Sequence, residues 1–198
     1  MRIILASTSP RRKELLEKLS IPVEVVPSGV DEELAVENSP YERVSELSKL
    51  KASAVAKSID DEAVIIGADT VVTYLGRILN KPESRNEAVE MISILQGKHH
   101  TVYTGMTVIY KDKNGNCTQE TYVDGTDVEF ASMSEQLIEK YVDTGEFSDK
   151  AGGYAIQGKG SVFILNVNGN YDNVVGLPIP ILYKSLKEHG IDITEFWK

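Results

Sequence analysis

A mixed α/β sheet with flanking helices is the fold this sequence predicts, on three kinds of signal. Short β-branched runs alternate with amphipathic stretches of helical period. Capping boxes mark helix starts. Asn-Gly pairs place hairpin turns between some strands, so part of the sheet is antiparallel.

Residues 2–6 are apolar enough for a short buried strand, which the polar Ser7-Thr8-Ser9 ends. Ser9 followed by Pro10 reads as a helix N-cap with proline at the first helical position, where its missing N–H costs nothing. Leu15, Leu16 and Leu19 give that helix its apolar face. A strand over 23–26 follows, and the capping box Ser39-Pro40-Tyr41-Glu42 opens a longer helix running to about Lys57. Strands are expected at 63–66 and 70–74. Ser84-Arg85-Asn86-Glu87 starts a third helix, which stops at Gly97. Strands at 102–110 and 121–130, a helix over 134–142, strands at 162–167 and 171–175, and a last helix from 179 to about 189 complete the chain. Asn114-Gly115 and Asn168-Gly169 are the expected hairpin turns. No repeat, linker or low-complexity segment interrupts the 198 residues, a length that supports one compact domain or two merged lobes.

Composition narrows the function. The formal charge of −9 repels polyanions at long range and argues against a nucleic-acid binder with a broad basic surface. An anionic ligand must then be small and held by locally placed cations. Cys117 is the single cysteine, which rules out an internal disulfide and a cysteine-rich metal cluster. The start of the chain has its apolar residues before its basic ones, the reverse of a secretory signal, and no run approaches the ~18 apolar residues of a membrane span. A soluble cytoplasmic protein is expected.

Several residues look like chemistry. Arg11 and Arg12 fall in the first turn of the first helix, where free N–H groups already carry partial positive charge. With Ser7 and the other small hydroxyl residues of the preceding loop they would cradle a phosphate, although a surface helix that simply begins with basic residues reads the same way. The loop is not a Walker motif, and Gly158-Lys159-Gly160 is too short to count as a dinucleotide fingerprint. Asp69 follows the apolar run 63–66, at the usual mouth of an α/β site, where a carboxylate holds a metal ion or takes a proton from water; strand-end aspartates also simply make turns. Lys51 continues the helical stripe Val44, Leu47, Val55, and so must snorkel to water or meet an anion. Lys81, before Pro82, is equally ambiguous alone. Asp31, Glu32 and Glu33 form an acidic knot that suits Mg²⁺ or Mn²⁺, or is only a solvated turn. Taken together these are the parts of a site for a metal-bound polyphosphate. His99 and His100 point to opposite faces of a strand and are poor joint ligands, and there is no G-x-S-x-G elbow.

The stretch Ala6-Ser7-Thr8-Ser9-Pro10-Arg11-Arg12-Lys13-Glu14-Leu15 resembles the N-terminal block of the Maf family. Ala68-Asp69-Thr70-Val71-Val72, Lys81-Pro82, Thr104-Gly105, the segment from Asp149 to Gly158, and Val174-Val175-Gly176-Leu177-Pro178 resemble later blocks in the same order, so the likeness spans nearly the whole chain. Gly97-Lys98 departs from it, since the family more often has arginine after that glycine, which touches only a peripheral contact.

The resemblance implies an elongated α/β fold similar to the inosine triphosphatase architecture: residues 1–198 as a single Maf-like domain, two merged lobes with a central cleft, often as a homodimer. It implies a nucleoside triphosphate pyrophosphatase that releases the monophosphate and pyrophosphate with a divalent cation, Mg²⁺ or Mn²⁺. Asp69 would accept the proton of the attacking water, and Glu32 would act with it through the metal. Ser7, Arg11, Arg12, Lys51 and Lys81 would hold the phosphates, Lys81 close to the chemistry, while Arg12, Thr70 and Gln157 match positions tied to choice of base. The Ala-Asp-Thr form of the second block is similar to the branch that takes dTTP and UTP, with modified nucleotides as a house-cleaning target. A link between the family and septum formation leaves a non-catalytic nucleotide-sensing regulator of cell division as the alternative.

Overall fold

The computed structural model describes residues 1–32 and 39–197 of the chain. It is a mixed α/β structure. Its strands are β1 (Arg2–Leu5), β2 (Val23–Val25), β3 (Ala63–Tyr74), β4 (Arg77–Leu79), β5 (His99–Lys111), β6 (Cys117–Phe130) and β7 (Ile164–Asn168). They hydrogen-bond in the order β2-β1-β3-β5-β6-β7, with β4 paired to β3. The helices are α1 (Pro10–Lys18), α2 (Pro40–Ala56), α3 (Arg85–Leu95), α4 (Glu135–Val142), α5 (Tyr171–Val175) and α6 (Ile179–Glu188). Among the described residues no helix is long and apolar enough to cross a membrane.

The serine half of each expected capping box forms. Ser39 accepts from Glu42 N at 3.2 Å and Ser84 from Glu87 N at 3.2 Å, each relieving an orphan donor of its helix start. Ser9 stands at the N-cap of α1 but makes no side-chain cap bond; its own N–H instead donates to Ser7 Oγ at 3.2 Å. The Asn114-Gly115 turn closes the β5–β6 hairpin as expected, with Asp112 N bonded to Asn116 O at 3.0 Å and Gly115 at φ 84°.

Four expectations are corrected. The runs 63–66 and 70–74 are one strand, β3, because Gly67 stays extended beneath a helix instead of turning. Asp69 is therefore inside a strand and not at its end. Residues 171–175 form α5 and not a strand: Asn170 Oδ1 accepts from Asp172 N at 3.0 Å, and Asn173 turns inward to donate to Val102 O and Thr126 Oγ1, both at 3.0 Å. Asn168-Gly169 consequently leads into a helix rather than a hairpin. The run 162–167 splits into a tight 3-10 turn over Lys159–Phe163 and the strand β7. The short strand β4 had no counterpart in the pattern, being too brief to show a period.

The chain divides into two compact units. The first comprises 1–69, 104–124 and 176–198. In it β1 pairs in parallel with β2 (Ile3 opposite Val23) and with β3 (Leu5 opposite Ile66), and Ile4, Ala6, Ile65 and Ile109 pack with Ala52, Val55 and Ala56 of α2. β1 and β3, apolar on both faces, are what a parallel arrangement under helices requires.

The second unit comprises 70–103 and 125–175. There β4 pairs antiparallel with the end of β3, and β6 with β7. Its interior holds His100, 3% exposed, edge-on to Phe130 and Tyr154, with Nε2 2.8 Å from the Tyr154 hydroxyl. Exposed His99 and buried His100 alternate as a strand demands.

Burial brings the His100 pKa down to about 4, against the opposing pull of Asp127 and with the help of His99. An unfolded histidine binds its proton near ~6.5, so between those values the unfolded chain holds more protons, and stability falls as the pH drops through that window. Integrated, His100 accounts for roughly 3 kcal/mol, fully present above pH ~6.5 and lost by pH ~4. In urea titrations at several pH values, His100→Gln is expected to show a shallower loss over this range; equal slopes would remove the argument.

Candidate functional site

In the first unit, β1 lies between β2 and β3, all parallel. The chain leaves β1 through α1 toward β2 and returns through α2 to β3, so the connections diverge on either side of β1. Such a switch leaves a crevice outside the carboxyl ends of the strands. Ser7 and the start of α1 emerge there from β1. The parallel pairing ends at Ile66, where Ala6 N donates to Ile66 O at 2.8 Å, and Asp69 lies three residues further along β3.

Ser7 is buried and its Oγ accepts from Arg12 Nη1 at 3.0 Å as well as from Ser9 N. Arg12 also donates through Nε to Gly176 O at 2.7 Å. Burial lowers the Arg12 pKa below its ordinary value; Asp69 opposes this, the like charge of Arg11 adds to it, and Glu32 opposes it again. The guanidinium remains charged, as arginines do in proteins. Arg11 is half-buried in the same first turn, which contains no acidic residue. Two cations thus stand at a helix N-terminus, an end of the helix that favours anions.

The deepest charges come from α2 and β3. Lys51, on the stripe of Val44, Leu47, Ser48 and Val55, is 6% exposed, and Asp69 is also 6% exposed. Lys51 Nζ donates to Asp69 Oδ1 at 2.7 Å and to Glu32 Oε1 at 2.6 Å. It does not snorkel; it meets two carboxylates.

This contact depends on how closely α2 lies on the strands. A Cβ added at Gly67 would stand 2.5 Å from Ser48 O and 2.6 Å from Ala52 N, and one at Gly105 would stand 2.1 Å from Val44 O. Backbone therefore rests on backbone at two points. Gly67 and Asp69, two apart on one strand, face the same side, so the glycine that admits the helix and the aspartate that meets its lysine share a face. Ser48 Oγ, Thr107 Oγ1 and Thr121 Oγ1 continue the fit as a hydroxyl chain with spacings of 2.9 and 3.0 Å.

Of the expected site residues, Ser7, Arg12, Lys51, Asp69 and Glu32 thus gather in the first unit, with Arg11 beside them and Asp31 next to Glu32 in sequence. Glu33 lies outside the described residues. Thr70, half-buried, follows Asp69 on β3 and belongs to the second unit, as do Lys81 and Gln157, both exposed. There the loop bearing Lys81 is joined to the Gly152-Gly153 pair: Gly152 N donates to Asn80 O at 3.1 Å, and a Cβ on Gly153 would touch Pro82. The loop bearing Gln157 is pinned on both sides, by Ala155 N donating to Tyr141 Oη at 3.0 Å and by Lys159 N and Gly160 N donating to Glu146. Gly67 and the Gly176 carbonyl were not singled out as parts of the site from sequence. A glycine's closeness to a helix, and a carbonyl's aim, leave no trace in side-chain pattern.

Among the described residues no group of three acidic, histidine or cysteine side chains forms a ready metal cage. The donors present nevertheless suit one kind of ion. Asp69 and Glu32, two carboxylates brought to one ammonium, offer the hard oxygen donors that Mg²⁺ or Mn²⁺ favours.

A family model described as Maf-like protein matches residues 2–189. The dTTP/UTP pyrophosphatase of Bacillus cereus is 50% identical over 193 residues, covering 98% of each chain. That of Bacillus anthracis is 48% identical, again over 98% of each. A solved nucleoside-triphosphatase, a dITP/XTP pyrophosphatase from Mycobacterium abscessus, aligns over 67% of this chain and 76% of its own at 14% identity and a TM-score of 0.41.

Proposed function

The chain belongs to the Maf family, and on that premise we propose that it hydrolyses dTTP and UTP to the nucleoside monophosphate and pyrophosphate. The observation that carries this reading is the buried Lys51, held between Asp69 and Glu32, the same two carboxylates that act on Arg12 at the start of α1. Half of the sequence is shared, over almost the full length, with enzymes named for that reaction.

In this reading the reaction divides among the chain's own groups as follows. Ser7, Arg11 and Arg12 bind the polyphosphate at the N-terminus of α1, where backbone dipoles add to their charge. Asp69 takes the proton of the water that attacks the α phosphorus, its other oxygen fixed by Lys51. Arg12 and Lys51 stabilise the negative charge that builds on the phosphoryl oxygens, and because both are positioned beforehand little reorganisation is needed. A divalent cation held by Asp69 and Glu32 would lower the pKa of the attacking water and neutralise phosphate charge. On the family resemblance alone, Lys81 joins the phosphate contacts and Thr70 and Gln157 the recognition of the base. A cytoplasmic location and a homodimer belong to the same reading.

Incubation with dTTP and Mg²⁺ in ¹⁸O-labelled water is expected to give dTMP and pyrophosphate with the label in dTMP, as attack at the α phosphorus demands. Orthophosphate with dTDP would mean terminal cleavage, and no dTMP at all would leave only a nucleotide sensor. EDTA is expected to stop the reaction and excess Mg²⁺ to restore it.

A further inference from the structure

One contact to the site comes from far along the chain. Gly176 follows the last residue of α5 and adopts φ 125°, a region that L side chains rarely enter. Its neighbours Val175 and Leu177 are buried, so the peptide between them has little freedom. In this orientation its carbonyl accepts from Arg12 Nε at 2.7 Å, while Arg12 Nη1 donates to Ser7 Oγ at 3.0 Å. Two nitrogens of a rigid planar fork are thereby fixed, and with them the plane of the guanidinium.

The consequence passes on to Ser7. A hydroxyl has two lone pairs and one proton. The Ser7 oxygen already accepts from Arg12 Nη1 and from Ser9 N, so both lone pairs are engaged and its proton must point elsewhere. That makes the serine a donor, the polarity an anionic oxygen requires. The carbonyl holds Nε while Ser7 holds Nη1, and the two bonds together set which edge of the guanidinium faces the hydroxyl.

We propose that Gly176 is a positioning residue of the phosphate site: its carbonyl sets the plane of Arg12 and, through Arg12, holds the Ser7 hydroxyl as a donor to the triphosphate. The proposal rests on the pyrophosphatase reading for its substrate. A glycine is required here by its backbone conformation, and the carbonyl that this conformation aims is the working group.

The test is a double-mutant cycle of Gly176→Ala and Arg12→Lys, read as kcat and KM for dTTP. Each single change is expected to lower kcat/KM by at least ~10-fold, since displacing a positioning group by an ångström costs up to ~10²-fold. The double variant is expected to be no worse than the poorer single one to within about threefold, because residues that act through one another are not additive. Multiplying losses would overturn the proposal, as Gly176 would then serve only its own loop. If Gly176→Ala does not fold, long-range HNCO spectra of the unaltered protein decide: a through-hydrogen-bond coupling between Arg12 Nε and the Gly176 carbonyl carbon supports the anchor, and a well-resolved Arg12 signal without it overturns it. Should the unaltered protein release no dTMP, the pyrophosphatase reading fails by itself. The same cycle read by tripolyphosphate binding then still judges the anchor, with additive losses of affinity counting against it.

Discussion

Asp69→Asn is expected to leave the protein folded while turnover of dTTP falls by roughly 10³-fold, the order of effect that a lost general base produces. The substitution keeps the volume and the hydrogen bond to Lys51 at Oδ1, and removes only the charge and the basicity. Lys51 still has Glu32, so no buried ammonium is stranded, which is the situation that makes broken ion pairs expensive. Loss of activity with an unchanged circular dichroism spectrum and a melting temperature within a few degrees would therefore report chemistry. Because Asp69 would also hold the metal, raised Mg²⁺ separates its roles: partial recovery assigns the loss to metal binding, and no recovery assigns it to proton transfer. A variant as fast as the unaltered enzyme would show that the base lies elsewhere.

The features that sequence exposes and those it hides differ in kind. Lys51 was legible because a cation on an apolar stripe cannot be indifferent to its surroundings, and the structure puts two carboxylates there. Arg12 was legible as a cation misplaced at a helix start. Capping serines announced α2 and α3, since each follows a local rule that needs no distant partner. What failed depended on distant contacts. The runs 63–66 and 70–74 read as two strands with Asp69 at the end of the first, but the backbone of α2 lies on Gly67 and β3 stays extended through it. Residues 171–175 have the β-branched composition of a strand, yet Asn173 finds its partners in Val102 and Thr126 and the segment becomes a helix. Tertiary hydrogen bonds override local preference in such short stretches.

Gly105→Ala is expected to cost more stability than Gly67→Ala, the other glycine on which α2 rests. The new Cβ would lie 2.1 Å from Val44 O and 2.4 Å from Val44 C, and both are backbone atoms of α2, so no rotamer change relieves the clash. Either the helix lifts from the sheet or β5 bends. Overpacking of this kind typically costs about 1–3 kcal/mol and occasionally more, and backbone against backbone places it at the upper end. If the helix lifts, Lys51 leaves Asp69, and a shift of an ångström there costs up to ~10²-fold in rate. Gly67→Ala, with Ser48 O at 2.5 Å and Ala52 N at 2.6 Å, is expected to follow at slightly smaller cost, although it stands nearer to Lys51 along the helix. The two together distinguish a general loss of packing from a specific loss of reach. For equal destabilisation in urea, Gly67→Ala is expected to lose more activity, because Ala52 adjoins Lys51 whereas Val44 lies two turns away. If either alanine were accommodated with full stability and full rate, the close seating of α2 would not be what brings the lysine to the aspartate, and the site would have to be assembled by another constraint.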